Sequence, residues 1–135
     1  MFQVGINTNN ECGNDNIEIL NNIERAGFKN IMLSYKTIKT DNIVKIIREK
    51  GLNISYYHID NTCANDLWAV GDSAEDYIRY VLKEIEFCGK NKIPIVILHA
   101  TKGSPTEFAL KPNINGLNNF KKYWILQEKI MSNLQ

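Results

Sequence analysis

Apolar and polar positions alternate in blocks along this chain, and the blocks change period at regular intervals. Residues 2–8 open with an apolar run (Phe2, Val4, Ile6) that predicts a strand. Asp15-Asn16-Ile17-Glu18 has the form of a helix capping box, and Ile19, Ile23 and Ala26 follow at helical spacing up to Gly27. Residues 29–35 then read as a second strand. A helix starting at Thr40 or Asp41 turns Ile43, Ile46 and Ile47 inward before Gly51, and residues 52–59 form a third strand. After a polar, Asn-rich loop at 60–72, Ser73-Ala74-Glu75-Asp76 reads as another capping box. The long helix that follows carries Tyr77, Val81, Ile85 and Cys88 on one face. Residues 93–98, nearly continuous in apolar side chains, form the fourth strand, expected to be buried on both faces.

Each helix pattern ends in a glycine (Gly27, Gly51, Gly89) a few residues before the next strand. Glycine tolerates the left-handed backbone that stops a helix, so each joint reads as a C-cap feeding a strand. The order β-α-β-α-β-α-β predicts an α/β fold built as a parallel (βα) repeat of four units. Its functional groups are expected at the strand C-terminal ends.

Those ends hold candidate chemistry. His58 and His99 are the two histidines of the chain and close the third and fourth strands, with Asn7 closing the first and Ser34 or Tyr35 the second. A polar residue is required wherever a buried strand meets water, which explains either histidine alone. Both together point to a shared site, where imidazole binds a metal, orients a hydroxyl or moves a proton. In the loop after His58, Asn65-Asp66-Leu67-Trp68 places an aromatic beside polar groups. Trp68 either covers a sugar-like ligand or plugs the loop onto the rim. Asp60 and Asp66 are possible paired carboxylates on which loop spacing decides nothing. His99-Ala100-Thr101-Lys102-Gly103-Ser104 is a weak phosphate-turn pattern without P-loop glycine density. Gly71-Asp72-Ser73 reads as a turn and helix cap.

Composition narrows the classes. The 135 residues carry a net charge of +1 and are 44% hydrophobic and 23% charged, one soluble domain's worth of chain or part of a larger one. No basic excess favours nucleic acid, no apolar run is long enough for a bilayer, and the chain opens on a strand rather than a secretory leader. Cys12, Cys63 and Cys88 are widely spaced with no CxxC pair, which fits a reduced cytoplasm and packed rather than nucleophilic thiols.

Val4-Gly5-Ile6-Asn7, Tyr57-His58-Ile59-Asp60-Asn61 with Asn65-Asp66-Leu67-Trp68, and Ile95-Val96-Ile97-Leu98-His99 together resemble the xylose-isomerase-like TIM barrels, closest to their sugar phosphate isomerase/epimerase group. The resemblance covers residues 1–122 and implies the N-terminal half of a TIM barrel, a full barrel having eight units and about 250 residues. It assigns Asn7, His58, Trp68 and His99 to substrate binding and implies a small-molecule sugar or sugar phosphate as ligand. In the full-length family a divalent metal (Mn, Mg, Zn or Co) stabilises an enediolate while carboxylates move the proton. That metal set, two glutamates, an aspartate and a histidine, comes from strands five to eight, so no catalytic or metal residue is assigned here and a fragment would be inactive and metal-free. The related apurinic endonucleases imply the alternative that His58 and His99 bind zinc; neutral charge and the Asn-Asp-Leu-Trp segment fit the sugar branch better. A third alternative is a non-catalytic half-barrel whose open edges pair in a homodimer.

Residues 123–135 depart from the rhythm, with neither a glycine cap nor a fifth strand. An A-rich codon run for Lys-Ile-Leu-Asp-Phe-Ala becomes, on loss of a single base, Lys122-Tyr123-Trp124-Ile125-Leu126-Gln127. The expectation is a frameshifted tail; the alternative is a genuine helix with Leu117, Phe120, Trp124, Met131 and Leu134 as its apolar stripe.

Overall fold

A computed structural model describes residues 4–8, 10–37, 42–103, 117–119, 121, 122 and 125. The start of the first strand at Phe2, the helix start at Thr40 or Asp41, Ser104, and the tail apart from Ile125 lie outside these residues. The chain divides into two compact units, Met1–His58 with Asn91–Ile97, and Ile59–Lys90 with Leu98–Gln135.

The first unit holds a four-stranded parallel sheet in the order β1-β2-β3-β4, the strands being Gly5–Asn7, Asn30–Ser34, Asn53–His58 and Val96–Ile97. Every strand therefore pairs with its successor in the chain. Register runs Asn7↔Met32↔Tyr56 and Ser34↔His58↔Ile97, with an irregularity at Ile31/Met32 that leaves Ser55 unmatched. Successive strand residues face opposite sides. One face collects Ile31, Leu33, Ile54 and Tyr57, all 5% exposed or less. The other collects Asn7, Met32, Tyr56, His58 and Ile97, each half-buried, with Ser34 buried among them.

Helices α1 (Asn16–Arg25) and α2 (Ile43–Glu49) belong to the same unit. The α1 capping box forms with a one-residue offset. Asp15 Oδ1 accepts the Glu18 N–H at 2.9 Å, while the Glu18 carboxylate reaches past the cap to the Asn14 N–H at 2.8 Å. The inward residues are Ile19, Leu20 and Ile23 in α1 and Ile43, Val44 and Ile47 in α2; Ala26 is exposed and Ile46 half-buried. Both helices stop at the expected glycines by one device. Gly27 (φ 82°) donates to Glu24 and Phe28 to Ile23; Gly51 (φ 69°) donates to Arg48 and Leu52 to Ile47. These are Schellman closures, each bringing an apolar residue after the glycine back toward an isoleucine in the last turn.

The third joint differs. Helix α3 (Asp72–Lys90), in the second unit, runs through Gly89, and the left-handed residue is Lys92 at φ 51°. The expected Ser73 cap is also displaced: α3 begins at Asp72, and the Gly71 carbonyl accepts the N–H groups of Ala74 (3.1 Å) and Glu75 (3.3 Å). Tyr77, Val81, Ile85 and Cys88 are buried as the spacing predicts.

The fourth strand is also shorter than its apolar run. Only Val96 and Ile97 pair, both are half-buried, and Ile95 is 55% exposed. Among the described residues β4 pairs with β3 alone. No helix of the described residues is long and apolar enough to cross a membrane.

Candidate functional site

In the first unit the strand ends are knit together by threonines. Thr8, just past β1, donates its hydroxyl to Met32 O (3.0 Å) and accepts the Ser34 N–H (3.1 Å); the Thr37 hydroxyl lies 2.8 Å away. All three hydroxyl-bearing residues are buried. The sequence reading passed over Thr8 and Thr37, yet they fix the level at which β1 and β2 end.

Asn7 and His58 therefore sit on one face of the sheet, two register rows apart. The side-chain oxygen of Asn7 is buried and has no hydrogen-bond partner among the described residues. An orphaned buried amide oxygen is costly and calls for an external partner. His58 ends β3 with its ring 6.4 Å from that of Tyr35, whose N–H binds the His58 carbonyl at 3.0 Å. Tyr56 occupies the Asn7 row and Ser34 the His58 row. This half-open face thus carries an amide, an imidazole and a phenol.

Trp68 and His99 belong to the second unit, and the structure gives Trp68 a structural bond. It ends a 3-10 turn, Ala64–Trp68, and its indole N–H donates to Ala100 O at 2.6 Å. In the same turn Asn65 Oδ1 accepts the Lys102 N–H at 2.8 Å, and Asn119 donates to Leu67 O at 2.7 Å. Asn-Asp-Leu-Trp is a clasp that ties down residues 100–102. In the weak phosphate-turn pattern the Lys102 amide is thus already bonded to Asn65. His99 does not end a strand; it lies two residues beyond β4 and is exposed.

A pocket of about 450 Å³ in the second unit is lined by Asp60, Cys63, Asp66, Ser73, Asp76, Tyr77 and Tyr80. Asp60 and Asp66 do converge here, joined by a third aspartate. Ser73, Asp76, Tyr77 and Tyr80 follow i, i+3, i+4, i+7 spacing on α3, a stripe the sequence displays but the apolar stripe overshadows. The Tyr77 and Tyr80 rings lie 6.2 Å apart, tilted by 36°. Burial, then the charges of Tyr80, Asp60, Cys63 and Asp66, push the Tyr77 phenol up to about 12. Cys63 is exposed rather than packed, while Cys88 is buried.

Among the described residues no group of three or more His, Cys, Asp or Glu is arranged to hold a metal ion. No family model matches the chain, and neither a curated protein nor a solved structure matches it.

Proposed function

We propose that this chain forms four βα units of a xylose-isomerase-like sugar-binding barrel, and that the Asn7–His58 face takes a sugar or sugar phosphate. The observation that carries the proposal is the sheet order. Strands pair strictly in sequence, all parallel, as in a (βα) barrel, whereas a doubly wound sheet reverses its order at a switch point. The orphaned Asn7 oxygen on the half-open face supplies a place for a sugar hydroxyl to donate. His58 positions a second hydroxyl, and the Tyr56 ring offers an apolar surface to a sugar's C–H face. Proton transfer beside the carbonyl is assigned to no residue of this chain, so its part is binding.

Calorimetric titration with a panel of aldoses, ketoses and their phosphates tests the proposal. At least one is expected to bind with a dissociation constant of about 1 mM or tighter, and His58→Ala is expected to weaken it about tenfold. A panel without heat at millimolar concentrations contradicts the reading.

The open sheet edges favour a second reading, self-association. Among the described residues β1 and β4 each have one pairing partner, with Val4 69% and Ile95 55% exposed beside them. Light scattering across a dilution series is expected to show a dimer if edges pair; a monomer throughout removes that reading.

A further inference from the structure

We propose that the second unit's pocket binds a small organic cation, an alkylammonium or alkylguanidinium compound, independently of any sugar at the sheet face. Three carboxylates line it, from Asp60, Asp66 and Asp76, while among the described residues the one basic group paired with them is the Arg79 guanidinium, 2.9 Å from Asp76. Asp60 and Asp66 are left to set the local field. Asp60 also accepts the Thr62 N–H and hydroxyl at 2.8 and 2.6 Å, which fixes its carboxylate in place.

Tyr77 supplies the independent observation. Its residue is 4% exposed, and its phenol oxygen is buried with no hydrogen-bond partner among the described residues. Tyr77 lines the pocket together with Asp60, Asp66, Cys63 and Tyr80. The phenol stays neutral through the physiological range, so it can accept an N–H without adding charge. The tilted Tyr77 and Tyr80 rings add π surface against which a cation with an alkyl body is favoured. A cavity of about 450 Å³ is within the usual range for small-molecule sites. Carboxylates, an orphaned acceptor and two aromatic rings together select a positively charged nitrogen on an apolar stem.

The test is titration of the full chain with agmatine and n-butylammonium, beside n-pentanol as an uncharged counterpart and calcium as a bare cation. Both organic cations are expected to bind, pentanol and calcium not. Asp66→Asn and Asp60→Asn are each expected to weaken binding about tenfold, and Tyr77→Phe about fivefold. These variants keep the fold. The Ala69 N–H binds the Asp66 main-chain carbonyl, an amide oxygen at 60 still accepts from Thr62, and the Tyr77 hydroxyl has no partner to lose. Thermal melts of each variant confirm this before titration. Absence of organic-cation binding at millimolar concentration, equal binding of pentanol, tighter binding of calcium, or unchanged affinity in all three variants each overturns the proposal.

Discussion

The indole N–H of Trp68 donates to the main-chain carbonyl of Ala100 at 2.6 Å, closing a span of 32 residues. A half-buried tryptophan beside polar residues suggests a lid over a ligand, but its single donor is committed to the chain. Trp68→Phe keeps an aromatic ring and removes the indole N–H bond to Ala100. It is expected to cost about 1 kcal/mol in urea unfolding and to speed amide exchange at residues 100–102, with sugar binding unchanged. Loss of sugar binding without loss of stability would return Trp68 to the ligand.

Lys92 holds a left-handed backbone (φ 51°) for which a side chain is a burden, while Gly89 sits inside α3 where a glycine is one. Lys92→Gly relieves the first strain and Gly89→Ala the second. Each is expected to raise the unfolding free energy by about 0.5–1 kcal/mol in chemical denaturation. If Gly89 were the cap that its place in the sequence suggests, Gly89→Ala would destabilise by a similar amount.

Thr8 accepts the buried Ser34 N–H, so Thr8→Val preserves volume but strands a main-chain donor. The expected cost is about 1–3 kcal/mol by urea titration. A cost near zero would mean that the strand ends do not depend on this cluster.

The Tyr77 phenol titrates near 12 in the fold against 10 in an unfolded chain. Ionisation is thus easier once unfolded, so the stability present below pH 10 is lost as pH rises from about 10 to about 12. Tyr77→Phe lacks this one group while the other tyrosines remain. Thermal melts from about pH 9 to about pH 12 are expected to show the parent chain losing stability relative to the variant only in that window. Parallel curves would remove Tyr77 from the alkaline transition.

Much of the sheet was legible because its signals are local. Asn30–Ser34 and Asn53–His58 are apolar runs that begin within three residues of a glycine whose positive φ the helix end requires. The third joint was not, because whether the left-handed residue falls at Gly89 or three residues later at Lys92 depends on packing that no single residue announces. Residues 93–98 illustrate the opposite error. A continuous apolar run signals a strand buried on both faces, but pairing on one side only leaves two bonded residues and an exposed Ile95. Of the site, Asn7 and His58 were readable as strand ends. The aspartates at 60, 66 and 76 were not readable as a cluster, since a loop and a helix face bring them together.

The central claim is that the half-open sheet face takes a sugar, and Asn7 tests it most directly. Its side-chain oxygen is buried without a partner, so Asn7→Ala removes a group the fold does not use. The measurement is ¹⁵N–¹H NMR titration of the parent chain and of Asn7→Ala with the tightest sugar of the panel. The prediction is shift changes centred on Asn7, Tyr56 and His58 in the parent, affinity reduced about tenfold in the variant, and unfolding free energy within about 0.5 kcal/mol of the parent. Shift changes confined to residues elsewhere, or equal affinity in the two chains, would contradict it.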